Sequence, residues 1–315
     1  MLQTIVKPLF GALIISFSAF FFTSCGEDDQ ISAKMRIEVT DAPIDDAGVS
    51  GAFVTVTDVQ VDGKSWSGFS GKTTIDLLAY QNGNVALLGD GELEAGSYTN
   101  ITLVLDKETD ANGNSPGCYV MKDGQKKDLY ANSSSSSSIT LSPPDFDLDV
   151  DGESNFVIDF DLRKSIRSES DSYAFVTTSE MQSALRVEAK ATTGVIAGNC
   201  TSASAFGDLT VAYAYKKGTY NRSSEMSASG ESEIYFKNAT TSSKVNANGD
   251  YDLHFLSEGE YEVVFVSYED QDQDGRLELK GTLDISILGS LTSNVVSVEA
   301  NATASLSVDA IGLTP

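Results

Sequence analysis

The sequence predicts an all-β protein with two β-sandwich-like domains behind a signal peptide. Short segments that alternate apolar and polar residues recur along the chain, and Asp-Gly or Asn-Gly pairs lie between several of them. No segment has a long helical period. With 315 residues the chain is long enough for two domains, which we place at 34–191 and 192–315.

The first domain begins with an alternating strand in which Met35, Ile37 and Val39 share one face. Pro43 ends this strand because it lacks the N–H that a sheet needs. Further strands are predicted at 53–61, 74–80, 85–88, 96–105, 118–121, 127–130, 146–150, 155–162 and 184–191, with a short helix near 178–183. Hairpin turns are predicted at Asp62-Gly63, Asn82-Gly83 and Asp123-Gly124.

The second domain is predicted to be a seven-stranded sandwich. Its strands lie near 195–198, 209–215, 251–256, 261–265, 282–288, 295–298 and 304–308. No Pro-rich linker lies at 190–194, so the two domains are expected to abut.

Four ordered motifs in the first domain indicate a family. They are Val39–Pro43 with the strand that follows it, Asp76–Leu78, Ala95–Ile101 and Ile158–Ile166. Their order and spacing resemble the uncharacterised bacterial lipoprotein domain known as domain-of-unknown-function family 4382. The resemblance implies an envelope β-domain and supplies no catalytic residue.

Two turn glycines mark the second domain. Gly249 precedes Asp250-Tyr251, and Gly259 lies in the pattern Glu258-Gly259-Glu260-Tyr261. This arrangement resembles the carboxypeptidase regulatory-like, transthyretin-type β-sandwich. The resemblance implies a fold and almost nothing about function.

The N-terminus carries an export signal. Residues 9–22 are apolar behind Lys7, a run too short to span a bilayer comfortably but suited to a signal peptide. Cys25 after Ser24 resembles the bacterial lipobox, which implies a signal peptide at 1–24, a diacylated Cys25 and a tether at 25–33. The acidic residues 27–29 resemble the surface-export signal of Bacteroidetes lipoproteins, which implies a lipid-anchored protein exposed on the cell outer membrane. The alternative is an ordinary cleaved signal with a coincidental cysteine.

The net charge of −25 argues against two classes of partner. Nucleic acids and anionic lipid surfaces would both be repelled. Such acidity is also common in secreted bacterial proteins.

Cys118 and Cys200 remain as an even pair if Cys25 carries lipid. In an oxidising compartment they are candidates for a disulfide bond. The alternative is two unrelated thiols.

The sequence predicts no enzyme. His254 is the only histidine, and its place in an alternating segment predicts an outward surface position. A catalytic triad or a multi-histidine zinc site therefore lacks its residues. Paired carboxylates of a glycosidase remain conceivable among the 46 acidic residues, but no pair stands out.

Two acidic stretches suggest different roles. Asp147, Asp149 and Asp151 alternate with apolar residues, which favours a strand with a core face. Asp270, Asp272, Asp274 and Glu278 are separated mainly by polar residues, and Gly275 lies where a calcium loop turns. This spacing resembles the first half of an EF-hand-type loop and predicts Ca²⁺ binding without the usual twelfth-position Glu. The alternative is a solvated hairpin turn.

The sequence thus predicts a non-catalytic binding or scaffold module whose glycan or protein ligand is unknown. The alternative is an accessory lipoprotein that captures glycans for an outer-membrane nutrient-uptake system. That function would need exposed aromatic residues on one face. Candidates are Tyr119, Tyr130, Tyr213, Tyr215 and Tyr220.

Overall fold

The computed structural model describes Met1 and residues 31–315, except 43–48, 131–136, 145, 170–171, 231 and 273–276. The predicted signal peptide 1–24, Cys25 and the tether up to Gln30 thus lie outside the described residues, apart from Met1. Residues 31–315 form one compact unit. Among the described residues, no helix is both long and apolar enough to cross a membrane.

The all-β prediction is confirmed. The N-terminal β-region (32–189) contains β1 (Ser32–Ala42), β2 (Val49–Val61), β3 (Lys64–Ser65), β4 (Thr73–Asp76), β5 (Ala86–Glu94), β6 (Gly96–Ser97), β7 (Ile101–Leu105), β8 (Tyr119–Lys122), β9 (Gln125–Tyr130), β10 (Ser138–Leu141), β11 (Asp147–Leu148), β12 (Glu153–Asp161), β13 (Ile166–Glu169), β14 (Ser172–Phe175) and β15 (Leu185–Ala189). Its helices are α1 (Leu162–Ser165) and α2 (Thr178–Ala184), with a 3₁₀ turn at Leu77–Ala79.

Two main sheets build this region. One has the order β15-β12-β1-β5, and the other runs β10-β7-β2-β8-β9-β14-β13 with β3 and β4 beside β2. Met35, Ile37 and Val39 are at most 3% exposed, as the alternation of β1 predicts. Trp66 is also buried and belongs to the same hydrophobic core.

Two of the predicted hairpins are confirmed, and one is wrong. Asp62-Gly63 joins β2 to β3, and Asp123-Gly124 joins β8 to β9, with positive φ at each residue as a type I′ turn requires. Asn82-Gly83 forms the same backbone turn, but β4 pairs with β2 whereas β5 pairs with β1. The buried Leu77 starts a 3₁₀ turn that directs the chain from one sheet to the other.

The predicted strand at 146–150 is shorter than expected. Phe146 and Leu148 are buried, as a core face requires, but the strand covers only Asp147–Leu148. Val150 is 58% exposed because a turn follows, with Asp151 at positive φ.

The C-terminal β-region (193–314) contains nine strands. They are β16 (Thr193–Thr201), β17 (Leu209–Lys216), β18 (Thr241–Lys244), β19 (Asp250–Ser257), β20 (Gly259–Glu269), β21 (Glu278–Leu288), β22 (Val295–Val298), β23 (Thr303–Ser305) and β24 (Ser307–Thr314). The path runs β18-β17-β20-β21-β24-β16-β19, with β22 beside β20 and β23 beside β16. A short helix, α3 (Arg222–Glu225), and 3₁₀ turns at Lys190–Thr192 and Ala203–Ala205 complete the elements.

The C-terminal β-region has a hydrophobic cluster on each side of its central strands. Ala212 and Phe265 belong to one cluster, and Tyr213 and Val264 to the other. Strands β17 and β20 therefore bury both faces, and their residues form nearly continuous buried runs.

Candidate functional site at the junction of the two β-regions

The candidate site begins where β1 and β12 run in parallel. Their register pairs Thr40 with Asp159 and Ala42 with Asp161. One face of β12 packs into the hydrophobic core, while Asp159 and Asp161 on the other face are 6% and 4% exposed. The buried carboxylates belong to a motif that carried the family resemblance, and their ion-pair partners Arg163 and Arg186 in turn contact the C-terminal β-region.

The side chain of Arg163 extends from the N-terminal β-region into the C-terminal β-region. Its side chain is 1% exposed, and Nη2 lies 3.2 Å from Asp161 Oδ2. Nη1 donates to the hydroxyl of Tyr213 at 3.3 Å, and the guanidinium lies 5.0 Å from that ring's centroid. Although burial opposes the charged form, Arg163 and Lys164 hold the pKa of Asp161 below its usual value.

A second buried ion pair lies beside it. Arg186 Nη2 contacts Asp159 Oδ2 at 2.7 Å, and Nη1 contacts Glu188 Oε1 at 3.3 Å. Arg186 Nη1 also donates to the backbone carbonyl of Phe255, while Ser257 Oγ donates to Glu188 at 2.8 Å. These bonds join β15 directly to β19, and Asp159 connects β12 to them through Arg186.

Asp41 adds another buried acidic side chain beside Asp159 and Asp161. It accepts hydrogen bonds from Gln81 and from the backbone of Leu162. Burial, together with the neighbouring Asp161 and Asp159, raises the pKa of Asp41 well above its usual value. The parallel register is the reason that these acids meet.

A groove of about 890 Å³ runs along the junction, a volume within the usual range for ligand sites. Its charged lining residues are Asp159, Asp161, Glu180, Lys164, Arg186 and Lys237. Its neutral polar lining residues are Thr140, Ser142, Gln182, Ser183, Ser232, Asn238 and Thr240. Among the described residues, no aromatic one lines it.

The groove is electrically balanced even though the chain is strongly acidic. Besides the pairs of Arg186 and Asp161, Lys237 contacts Glu180 at 3.4 Å. Lys164 contacts Asp161 and donates to the carbonyl of Ala239 at 2.8 Å. A charged ligand would have to compete with these ion pairs, whereas a neutral polar ligand would not.

The predicted outward position of His254 is wrong. Residues 254–255 of β19 form a bulge opposite Val195, with Phe255 at a φ of 54°. The imidazole packs so closely on Gly83 that a Cβ there would lie 2.4 Å from the ring. Burial lowers the pKa of His254, although Asp252 acts in the opposite direction.

The tyrosines proposed as a glycan platform do not form one. Tyr213 and Tyr215 are fully buried, and Tyr119 is 7% exposed. Tyr220 packs against Tyr215 with 5.0 Å between ring centroids, and the side chain of Tyr130 lies outside the described residues. The strand alternation could not reveal this, because both faces of β17 are covered.

The acidic loop (Asp270, Asp272, Asp274 and Glu278) lies in the hairpin between β20 and β21. Carboxylate oxygens of Asp270, Asp272 and Glu278 come within 4.8 Å of one another, so three of the four predicted ligands meet. Glu278 also accepts a hydrogen bond from the backbone of Gln271 at 2.9 Å. Asp274 lies outside the described residues. The cluster fits a hard cation held by oxygen atoms.

The candidate disulfide is not formed. Cys118 and Cys200 are free, buried thiols that belong to different hydrophobic clusters. Burial raises the pKa of Cys118 to about 11 and that of Cys200 to about 12. Because the two thiols lie in separate hydrophobic cores, the even number of cysteines did not indicate a disulfide bond.

Residues 32–177 match the family model described as "Domain of unknown function (DUF4382)". This segment is similar to that family. The match confirms the first resemblance, and the buried acids of β1 and β12 lie within it. A comparison with curated proteins found no match.

Several solved structures share distant similarity with the chain. The Bacillus anthracis TIE protein is 12% identical, with 89% of this chain and 34% of that chain covered at a TM-score of 0.19. A leucine-rich repeat protein from Bacteroides thetaiotaomicron VPI-5482 is 12% identical, with 90% of this chain and 26% of that chain covered at a TM-score of 0.22. BcpA, the major pilin subunit of Bacillus cereus, is 10% identical, with 89% of this chain and 70% of that chain covered at a TM-score of 0.21. The chain spans about a third or less of the length of the first two proteins. TM-scores this low support no inference about fold or function.

Replacing Arg163 tests how much its buried ion pair with Asp161 contributes to the stability of the fold. We expect Arg163→Met to lower the free energy of unfolding by about 3 kcal/mol, because it leaves Asp161 buried with only Lys164 as a partner. Urea denaturation measures this change. The control is Lys217→Met, which removes an exposed pair with Glu260 and should cost about 1 kcal/mol or less. Equal effects of the two substitutions would contradict a special role for Arg163.

Thermal unfolding tests the acidic loop. Without a twelfth-position Glu we expect a dissociation constant for Ca²⁺ on the order of 10⁻⁴–10⁻³ M. At ten times that concentration, binding stabilises the fold by about 1.4 kcal/mol, a melting shift of a few degrees relative to EDTA. The double variant Asp272→Asn, Asp274→Asn should lose most of that shift. A melting temperature insensitive to Ca²⁺ would leave only a solvated turn.

Proposed function

We propose that the protein is a lipid-anchored, non-catalytic binding module of the bacterial outer-membrane surface that takes a neutral polar ligand in the junction groove. The observation that carries this proposal is the charge balance of the groove. Among the described residues, three acidic and three basic side chains line it and are joined in ion pairs, within a chain of net charge −25. Neutral hydroxyl and amide groups then remain to contact a ligand.

The contacts around the groove support a preformed site. The hydrogen bond from Lys164 to Ala239 connects its two walls, and Arg186 is held in place by a further bond to Phe255 outside the groove lining. A site whose walls are already fixed loses little conformational entropy when a ligand binds. The sole histidine packs on Gly83 and is not among the residues that line the groove, which favours binding over acid–base catalysis.

Glycan capture is the alternative function, and it now has less support. The tyrosines that it would use are mostly buried, and the groove offers hydrogen bonding without an aromatic surface. We retain neutral glycans as the first ligand class to test because their hydroxyl groups both donate and accept hydrogen bonds. For residues 192–315 we retain the carboxypeptidase regulatory-like sandwich as a proposal.

A glycan array with groove variants tests the proposed site. We expect neutral glycans to bind and Gln182→Arg to abolish their binding, because it places a long cation in the groove. Gln125→Arg adds the same charge at the exposed β8–β9 turn and should leave binding unchanged. Absence of neutral-glycan binding would exclude glycans as the ligand class, whereas a preference for acidic glycans or equal behaviour of both variants would contradict the proposal.

Cys25→Ser tests the anchor. Loss of the thiol should prevent acylation and move the protein from the membrane fraction to the soluble fraction, since each buried CH₂ contributes about 0.8 kcal/mol to anchoring. Fractionation followed by immunoblotting measures this change. Cys118→Ser serves as the control for loss of a thiol and should leave membrane association intact. A Cys25→Ser protein that stays in the membrane fraction would rule out the lipobox interpretation.

A further inference from the structure

A second, much smaller cavity lies at the same junction. This junction cavity has a volume of about 20 Å³, only slightly more than one water molecule needs. Thr40, Asp41 and Asp159 line it from the N-terminal β-region. Ser242 and Asp252 are among its lining residues from the C-terminal β-region. The cavity therefore lies between polar groups of both regions.

Its charge differs from that of the adjacent groove. Asp41, Asp159 and Asp252 line the junction cavity together with His254, and no lysine or arginine among the described residues does. The ion pair of Asp159 with Arg186 uses Oδ2, and Arg186 also serves Glu188. Burial raises the pKa of Asp41, and Asp252 is exposed, so Asp159 is the buried carboxylate whose charge is incompletely compensated at this cavity, since it shares Arg186 with Glu188.

Two buried oxygen atoms at the cavity have no hydrogen-bond partner. They are Asp159 Oδ1 and Ser242 Oγ, in side chains whose residues are 6% and 7% exposed. An unpartnered carboxylate oxygen in a protein interior loses hydration without compensation. The two atoms come from opposite sides of the junction, so one bound group could satisfy both.

We infer that the junction cavity binds a dehydrated hard cation, with Asp159 Oδ1 and Ser242 Oγ among its ligands. Carboxylate and hydroxyl oxygens are the donors that such ions prefer. The small volume leaves little room for retained water, which disfavours Mg²⁺ because Mg²⁺ dehydrates reluctantly. Ca²⁺ is therefore the cation to test, with K⁺ as the monovalent comparison. This site is separate from the acidic loop and does not depend on the ligand of the groove.

Such a cation would join the two β-regions. Asp159 lies on β12 and Ser242 on β18, so binding would connect strands from different hydrophobic cores. The bound ion would stabilise the junction by mass action, and the stability of the junction would then depend on the cation concentration outside the cell.

The test uses the full chain in detergent with Asp272→Asn in the background, which weakens the acidic loop. Melting temperature and isothermal titration are measured after EDTA treatment, with CaCl₂, MgCl₂ or KCl added. We expect Ca²⁺ to raise the melting temperature and Ser242→Ala to weaken Ca²⁺ binding by roughly tenfold. Without cation, Ser242→Ala should be neutral or stabilising, because it removes a buried hydroxyl that has no partner.

Ser243→Ala is the matched control. Ser243 is a neighbour that is also buried, its hydroxyl has partners in Asn82 and Lys244, and it does not line the cavity. Its variant should bind Ca²⁺ as the parent does. Asp159→Asn should abolish binding. No response to any cation would mean that the cavity holds only water, and equal Ca²⁺ affinity in Ser242→Ala and its parent would overturn the assignment.

Discussion

The parallel pairing of β1 with β12 is the constraint on which the junction depends. It brings the end of the first strand beside a strand that is more than a hundred residues later in the chain, so that Thr40 lies opposite Asp159 and Ala42 opposite Asp161. One face of this pair supplies apolar side chains to the core. The other face carries acids, and those acids are buried because the C-terminal β-region covers them.

Electrostatic compensation explains why this polar junction can be buried. Removing charges from water is costly, and the cost is offset only where an opposite charge or several hydrogen bonds replace the water. Arg163 and Arg186 provide that compensation for Asp161 and Asp159 Oδ2. At the adjacent small cavity the compensation is incomplete, and the two unpartnered oxygens lie at that cavity.

Local sequence patterns predicted well wherever the determining interactions were local. The alternation in β1 identified the core residues, and type I′ backbone geometry occurs at all three predicted Gly turns. The hairpin prediction at Asn82-Gly83 was wrong because a turn does not specify which strand its neighbours will pair with. Similarly, alternation placed His254 outside because it could not foresee that Gly83 of the N-terminal β-region packs against its imidazole. The buried acids of β12 had a sequence signal, acids at alternate positions of an otherwise apolar strand, but a solvated face gives the same pattern.

By itself, the sequence determined the all-β class, most strand positions, the DUF4382 resemblance and the spacing of the acidic loop, since each depends on residues close together in the chain. Only the tertiary structure decided which faces are covered. Burial of Tyr213, the separation of Cys118 from Cys200 and the pairing of Arg163 with the second β-region all depend on contacts between distant segments. Periodicity reports which side chains share a face of a strand, whereas packing decides whether water or protein lies against that face.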